Sequence, residues 1–339
     1  MRKLLNTLYI ISPDSYISRD GLNIVIIDKE SEKIRLPIHN IESIVTMGYK
    51  GMSPGAMGLC VDNGVSVVFL SSGGRYLARI EGPIKGNVVL RKKQYANSSD
   101  NLYSIALSKI IVAGKIQNYK NILNRYIRDY GSNIEIEQII QKLAHRIKSI
   151  PKVDDLDVLR GIEGLAAKEY FSVFHYLILS SESFTFVERN RRPPKDPINA
   201  MLSFVYTLIA NQIQAALESV GLDPYVGFFH TLRPGRASLA LDMMEEFRAY
   251  LGDRLVLSLI NRKQVHINGF KYQGEENVVM DDDTKKIILG AWQKRKKDVI
   301  NHPFLGENIP IGLLPYAQAM LLARYLRNDL DNYPVFINK

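Results

Sequence analysis

The hydrophobic period of the chain changes near Val88, and this change constrains the fold more than any other sequence feature. Before Val88, short runs rich in Val, Ile and Tyr are separated by turn signals such as Asp20-Gly21. These runs predict strands at 7–12, 22–28, 33–38, 41–47, 65–71 and 76–81. One short helix is predicted at 54–62. Such close spacing, without crossover helices, favours a small β-domain over a parallel α/β sheet.

After Val88 the apolar residues recur with the period of an amphipathic helix. Helices are predicted at 102–130, 134–150, 156–179, 198–220, 237–251, 284–301 and 311–329. A hairpin is predicted around 265–270 and 277–280. The sequence therefore predicts an α+β fold in which a small, β-sandwich-like N-terminal domain, residues 1–85, precedes a larger all-α domain, residues 86–339.

The composition, 46% hydrophobic and 23% charged, is ordinary for a globular protein with a sizeable core. No uninterrupted apolar run reaches the length of a membrane span, and the N-terminus lacks the apolar core of a secretory signal. Cys60 is the only cysteine, which excludes disulfides within the chain and zinc sites with several cysteines. We therefore expect a cytoplasmic protein without a membrane partner.

The chain carries 44 basic and 35 acidic side chains, a formal charge of +9, which suits a polyanionic partner. Residues 1–90 contribute +2 (10 basic, 8 acidic) and residues 91–339 contribute +7 (34 basic, 27 acidic). Two basic segments in the second part are candidate phosphate contacts. They comprise Arg189, Arg191, Arg192 and Lys195 in a proline-rich loop, and Lys294, Arg295, Lys296 and Lys297 at the end of a helix. The alternatives are an ordinary charged loop and a solvent-facing helix.

Two short motifs fail on inspection. Gly51-Met-Ser53-Pro54-Gly55 matches the serine-hydrolase elbow, but the residue after Ser53 must supply a backbone N–H and Pro54 has none. Ser53 as a helix N-cap explains the same residues. Lys115 follows Gly114 without the upstream glycine of a phosphate loop, so nucleotide hydrolysis has no support.

Two further segments, 159–171 and 221–248, carry polar residues where a core should be apolar. Glu163 lies on or beside the apolar stripe of its helix, flanked by Gly161 and Gly164, each of which costs about 1 kcal/mol of helix stability. This pattern suggests a carboxylate that binds a ligand where another backbone comes close. The alternative is a boundary glutamate paired with a neighbour such as Arg160.

His230 ends an apolar run and opens a Gly/Pro/Arg loop, which is a usual place for a functional side chain. Asp242 and Glu245 are three residues apart on the following helix and share a face. Structural or solvated roles are the alternatives for all three. Together with Glu163 they would form an O/O/O/N donor set that suits Mg²⁺ or Mn²⁺.

Taken together, these segments resemble the CRISPR-associated integrase family that captures new spacers in antiviral defence. The resemblance rests on residues 161–164 (GIEG), 227–230 (GFFH) and 239–246 (LALDMMEE), in the family's order Glu, His, Asp. The separations are 230−163 = 67 and 242−230 = 12 residues. The resemblance covers the whole chain. The segments NTLYI, RNRRPPKDPINAMLSF, DPYVGFFH and IPIGLLPYAQAMLLARYLRNDLDNYP are most similar to the subtype I-C branch.

The resemblance implies a metal-dependent transesterification, in which a 3′-hydroxyl of a short DNA fragment attacks a phosphodiester at the edge of a CRISPR repeat. It implies Glu163, His230 and Asp242 as metal ligands and Glu245 as a supporting residue, all four catalytic. His230 as a proton shuttle is the alternative. Single removal of the three ligands is expected to abolish strand transfer while folding and DNA binding remain, with a milder effect for Glu245→Ala.

The resemblance also implies partners: DNA, a second copy of the chain in a homodimer, and a small CRISPR-associated companion subunit. Because a β-domain this small must cover its apolar faces, we expect the dimer to form mainly through residues 1–85. The resemblance leaves open whether a separate end-processing nuclease is required. Two other functions compete with integration. One is a general metal-dependent endonuclease that cleaves single-stranded, double-stranded or branched DNA, and the other is a catalytically idle DNA-bridging scaffold.

Overall fold

A computed structural model describes residues 6–12, 14–28, 31–47, 50–71, 76–82, 88–179, 184–191, 193–274 and 277–338. The chain forms two compact units. The first comprises residues 1–85, 280–299 and 310–313, and the second comprises residues 86–279, 300–309 and 314–339. The division at 85 and 86 expected from the sequence stays a prediction. In the observed units, a helical segment from the C-terminal part groups with residues 1–85.

The strands are β1 (Thr7–Ile10), β2 (Ser15–Asp20), β3 (Asn23–Asp28), β4 (Ser31–Pro37), β5 (Ser43–Thr46), β6 (Ser66–Leu70), β7 (Tyr76–Ile80), β8 (Phe270–Gln273), β9 (Asn277–Met280), β10 (Val299–Asn301) and β11 (Asn308–Pro310). The helices are α1 (Pro54–Asp62), α2 (Val88–Ser99), α3 (Asn101–Tyr130), α4 (Ile134–Ser149), α5 (Leu156–Ser172), α6 (Pro197–Ser219), α7 (Ser238–Met244), α8 (Arg254–Asn261), α9 (Asp282–Lys297) and α10 (Leu314–Leu326). This confirms the α+β class.

Two sheets form most of the first unit. Strands β2, β3 and β4 form an antiparallel meander, and a second sheet has the order β1-β5-β6-β7. In the second sheet β1 pairs with β5 and β5 with β6 in parallel, and β6 pairs with β7 antiparallel. The strand spacing favoured a small β-domain over a parallel α/β sheet, and it did not predict these two parallel pairs. Helix α1 lies between β5 and β6 in the chain and supplies the crossover that a parallel pair requires.

The core of the first unit joins side chains from both sheets and α1. Its buried members are Ile10, Ile17, Ile24, Ile26, Ile38, Ile41, Ile44, Met52, Ala56, Leu59, Cys60, Val65 and Val67. Helix α1 begins as predicted, because the Ser53 side chain accepts a hydrogen bond from the Ala56 N–H and Pro54 follows at the first helical position.

Helix α6 runs through the second unit as a core helix. By length and composition it could cross a membrane, but 67% of its most apolar window is buried inside the protein. It also carries Asn211, Gln212 and Gln214, which interrupt the apolar run. Burial therefore accounts for its apolar composition.

Strand β2 and the helix predicted at 237–251 are among the further departures from the predicted elements. Strand β2 was missed because its sequence, SYISRD, is largely polar. Ser15 and Ile17 are nevertheless buried, and the exposed end of the strand carries the polar residues. The predicted helix 237–251 is interrupted: α7 ends at Met244, and a π-helical turn (Arg248–Asp253) leads into α8. Such turns recur at functional sites.

Candidate metal centre and active site

Four segments of the second unit bring polar side chains together. Helix α3 carries Lys115, α5 carries Glu163, and the segment 227–230 ends at His230. Helix α7 carries Asp242, and Glu245 follows directly after its end. The sequence predicted the assembly of the two glutamates, the histidine and the aspartate, and the structure places all of them in one cluster.

Asp242 is fully buried and both of its carboxylate oxygens are occupied. Oδ2 accepts hydrogen bonds from the N–H groups of Phe228 (2.7 Å) and Phe229 (3.0 Å). Oδ1 accepts from the His230 N–H (2.8 Å) and lies 2.7 Å from His230 Nδ1. Four donors fill the four lone-pair sites of an ionised carboxylate. Asp242 therefore has no lone pair left for a metal ion, which departs from its predicted role as a ligand.

The close approach of Asp242 depends on Gly227. A Cβ at position 227 would lie 2.7 Å from Asp242 Oδ2 and under 3 Å from the backbone of Ser238 and Leu239. Only glycine fits at position 227, because any side chain would collide with Asp242 and with the start of α7.

Two buried contacts fix the segment around His230. Arg160 of α5 donates from Nε (3.1 Å) and Nη2 (2.8 Å) to the Phe229 carbonyl, rather than pairing with Glu163. Gln94 of α2 donates to the carbonyls of Asp223 (2.7 Å) and Val226 (2.8 Å). Helices α2 and α5 thereby hold the segment against α7.

The contact with Asp242 sets the tautomer of His230. A carboxylate oxygen 2.7 Å from Nδ1 places the proton on Nδ1, which leaves the lone pair on Nε2. Nε2 lies 3.7 Å from Glu245 Oε1. Metal-binding histidines share this arrangement, in which the second ring nitrogen donates to a carboxylate.

Lys115 bridges the two glutamates. Its Nζ contacts Glu163 Oε1 and lies 2.5 Å from Glu245 Oε2. Burial lowers the pKa of Lys115, but the carboxylates of Glu245 and Glu163 outweigh burial, so that the pKa is raised and the ammonium stays charged. Sequence reasoning dismissed Lys115 together with the failed phosphate-loop motif.

Arg248 is a second buried cation beside Glu245. Its Nε lies 3.0 Å from Glu245 Oε2, and its guanidinium stands 4.9 Å above the ring of Tyr206. Burial favours the neutral form of Glu245, yet Arg248, Lys115 and His230 outweigh burial and lower its pKa to about 2. Glu245 is therefore ionised at neutral pH.

The π-helical turn ends at another buried acid, Asp253. Tyr206 donates a hydrogen bond from its hydroxyl to Asp253. Burial raises the pKa of Asp253 to about 6, although Tyr206 and Tyr170 oppose the rise. The turn thus places the Arg248 guanidinium over the face of the Tyr206 ring and the Asp253 carboxylate at the Tyr206 hydroxyl. No sequence pattern predicted these two contacts.

The donor atoms of these side chains suit a divalent metal ion. Within the described ranges, no three His, Cys, Asp or Glu side chains already stand at metal-binding distances. Glu163 and Glu245 nevertheless share the Lys115 ammonium, and His230 Nε2 lies 3.7 Å from Glu245 Oε1. Each of the three side chains keeps a donor atom that the Lys115 contact does not use. Two carboxylates and one imidazole suit Mg²⁺ or Mn²⁺.

Gly161 and Gly164 lie on the exposed side of α5, beside Glu163. A Cβ at either position would meet nothing within 4 Å, so the chain itself does not pack there. The backbone approach that the glycines suggested is therefore not made by the described part of this chain.

The structure separates the residues of the first basic segment. Arg189 donates to Asn199 Oδ1 (2.6 Å) and Ser203 Oγ (3.2 Å), with its guanidinium 5.4 Å from the centre of the Tyr206 ring. Arg189 is thus tied into the second unit, which departs from the predicted surface contact. Arg191 and Lys195 are exposed. Arg192 lies outside the described residues.

The second basic segment, at the end of α9, also contains both exposed and buried side chains. Lys294 and Lys297 are exposed and Arg295 is half-buried. Lys296 is 3% exposed and donates to Thr7 Oγ1 (2.8 Å) within the first unit. The inclusion of Lys296 in a DNA-binding surface was therefore wrong. Its position four residues after the buried Trp292 is the signal for burial.

The buried Lys296 predicts a pH effect on stability. Burial lowers its pKa to about 8, despite the attraction of Glu42. Between that value and the unfolded pKa of about 10.4, the unfolded chain binds more protons, so stability rises with pH by about 3 kcal/mol in total. Lys296→Met should remove this rise, measured by urea unfolding from about pH 7 to about pH 10. The exposed Lys297→Met is the control, and parallel curves for all three proteins would contradict the assignment.

Comparisons with known proteins were made for the sequence and for the structure. A sequence model of the family described as "CRISPR associated protein Cas1" matches residues 8–294. The chain is 46% identical over 341 residues to CRISPR-associated endonuclease Cas1 1 of Chlorobaculum tepidum, and the match covers 99% of both proteins. It is 32% identical over 340 residues to a CRISPR-associated exonuclease Cas4/endonuclease Cas1 fusion of Geobacter sulfurreducens, covering 98% of this chain and 60% of the fusion.

Solved structures share the fold. A casposase bound to its integration product superposes with a TM-score of 0.85 at 22% identity, covering 97% of this chain and 94% of the casposase. A CAS1 protein from Thermotoga maritima gives a TM-score of 0.83 at 21% identity, covering 98% and 100%. A chain of a Cas6-RT-Cas1–Cas2 complex gives 0.84 at 21% identity, covering 100% of this chain and 37% of that chain.

Proposed function

The chain belongs to the Cas1 family of CRISPR-associated endonucleases, and we propose that it inserts short DNA fragments into a CRISPR repeat by metal-dependent transesterification. The family membership supports the nuclease and integrase chemistry. One observation carries the assignment to this site: Glu163 and Glu245 share one ammonium, and His230 Nε2 faces Glu245 while Asp242 fixes the imidazole through Nδ1.

We propose Glu163, His230 and Glu245 as the residues that hold Mg²⁺ or Mn²⁺. Asp242 then positions His230 and the segment 228–230 rather than binding the ion. This exchanges the roles expected from the sequence for Asp242 and Glu245. The support is the count of donors around Asp242, which leaves no lone pair for a metal.

The chemistry of the site follows from these roles. A bound divalent ion would act there as a Lewis acid on the phosphodiester and on the attacking hydroxyl. The Asp242 contact keeps the lone pair of His230 on Nε2. Lys115 and Arg248 both pair with Oε2 of Glu245, which leaves Oε1 facing His230. In the reaction, the 3′-oxygen of the incoming DNA bonds to phosphorus and the bond to the leaving 3′-oxygen breaks. The attacking oxygen loses one proton and the leaving oxygen gains one.

A strand-joining assay tests the proposed function against general endonuclease activity. The protein is incubated with Mn²⁺, a repeat-containing target and a short duplex whose ends carry either 3′-hydroxyl or 3′-deoxy groups. We expect joined products from the 3′-hydroxyl duplex alone, because only that end carries the nucleophile. Equal amounts of hydrolysed target from both duplexes, with no joined product, would support the endonuclease alternative.

The proposed partners are DNA, a second copy of the chain and a small companion subunit. The Cas6-RT-Cas1–Cas2 complex and the casposase with its integration product support the companion and the DNA. The Cas4/Cas1 fusion supports a functional link to an exonuclease. Exposed apolar side chains of the first unit, such as Leu22 and Leu77, support a dimer through residues 1–85. We place this activity in the cytoplasm and the sequence in the subtype I-C branch.

The exposed residues of the loop before α6 predict a salt effect on DNA binding. The double variant Arg191→Ala/Lys195→Ala should flatten the dependence of log K on log[salt] by about 0.9 per lost phosphate contact. The loss should be similar for all DNA sequences, because phosphate contacts carry no sequence information. The exposed Lys142→Ala on α4 is the control. An unchanged slope, measured by fluorescence anisotropy, would show that the loop does not contact DNA.

A further inference from the structure

Lys115 is a buried cation inside the acidic cluster that we propose as the metal site. Its side chain is 5% exposed, and its Nζ contacts Glu163 Oε1 and lies 2.5 Å from Glu245 Oε2. Both carboxylates belong to the proposed ligand set. The lysine is anchored on the buried face of α3, between Ile111 and Tyr119, so the backbone cannot carry it out of the site.

The charges around the ammonium nearly balance without a metal. Glu163, Glu245 and Asp242 contribute three negative charges, and Lys115 and Arg248 contribute two positive ones. A site of three carboxylates, of which Asp242 and Glu245 are buried, would be strongly destabilised without cations by desolvation and mutual repulsion. The two cations therefore allow the cluster to stay folded before an ion arrives.

The same ammonium opposes the binding of a divalent ion. An ion about 2.1 Å from either oxygen of Glu245 would lie within about 7 Å of Lys115 Nζ. At an effective dielectric constant of about 20, the repulsion over that distance lowers a binding constant by on the order of a thousandfold. Loss of a partner that merely orients a ligand weakens metal binding by about 10- to 100-fold. Repulsion thus outweighs the orienting contribution of Lys115.

We infer that Lys115 acts as an internal counter-ion that keeps the acidic site folded without metal and weakens its affinity for the divalent ion. The inference rests on the proposed function, because it takes Glu163 and Glu245 as metal ligands. It makes Lys115 a positioning and affinity-setting residue. The free protein would hold its ion loosely, and the negative charge of a bound DNA phosphate would strengthen that hold.

Calorimetric titration of the full-length protein with Mn²⁺ tests the inference. Lys115→Met should bind Mn²⁺ at least ~10-fold more tightly than the wild type, because the repelling charge is gone. Its melting temperature should fall without metal, and saturating Mn²⁺ should raise it further than in the wild type. Lys109→Met, on the same helix and paired with Asp154, is the matched control and should change neither quantity.

Further variants keep the outcomes distinct. Lys115→Gln removes the charge but retains N–H donors, and it should show the same tighter binding if Lys115→Met does not fold without metal. Glu163→Gln should lose Mn²⁺ binding. If the wild type binds no Mn²⁺, or Glu163→Gln binds it normally, the proposed metal site fails. If that site holds but both lysine variants bind Mn²⁺ equally or more weakly than the wild type, the inference alone is overturned.

Discussion

Glu163→Gln is expected to lower strand cleavage and joining by about 10³-fold or more while the protein keeps its fold. The neutral amide is a poor ligand for a divalent ion, and such an ion contributes several kcal/mol to transition-state stabilisation at a phosphodiester. The side chain is 21% exposed, so water can solvate the amide, and Lys115 keeps its contact with Glu245. The measurement is the single-turnover rate at saturating Mn²⁺.

The control for this variant is Glu169→Gln on the same helix, where the carboxylate pairs with Arg146. Glu169→Gln should cost stability and leave the rate per folded molecule unchanged. A Glu163→Gln protein that joins strands within a few-fold of the wild-type rate would remove Glu163 from the metal site.

Asp242→Ala is expected to unfold the protein or to destabilise it by about 5 kcal/mol or more. The substitution leaves the backbone N–H groups of residues 228–230 and the His230 Nδ1–H without an acceptor. Each unsatisfied donor lowers the free energy of unfolding by about 1–3 kcal/mol. That sum approaches the whole stability of an ordinary domain. Thermal and urea unfolding measure it, and added Mn²⁺ should not restore the loss.

Asp242→Asn separates the two roles considered for this residue. It retains one acceptor oxygen, so its loss of stability should be intermediate. An Asp242→Ala protein with wild-type stability and no Mn²⁺ binding would instead return Asp242 to the ligand role expected from the sequence.

The sequence predicted which acidic side chains and which histidine come together, but not what each of them contacts. Asp242 and Glu245 share a helix face, and spacing alone does not tell which carboxylate meets the backbone and which meets the imidazole. That distinction depends on the path of residues 227–230, which tertiary packing determines. Gly227 was a signal for this path, because glycine permits a close approach that a Cβ would block.

Lys115 and Lys296 show what helical periodicity could have revealed. Lys115 follows Ile111 by four residues and precedes Tyr119 by four, so it lies on the apolar stripe of α3. Lys296 stands in the same relation to Trp292 on α9. A charged residue on a buried stripe needs a partner, and a sequence does not name that partner. Arg189 gave no such signal, because its contacts with Asn199 and Ser203 join a loop to a helix.

The four donors around Asp242 also bear on how this protein can meet DNA. Successive backbone N–H groups that point to one spot form a natural receptor for an anion such as phosphate. At residues 228–230 that receptor already holds an anion of the chain's own, the carboxylate of Asp242. The main chain next to His230 is therefore closed to a nucleic-acid phosphate. Strands that enter the site must be held there by side chains and by the bound ion.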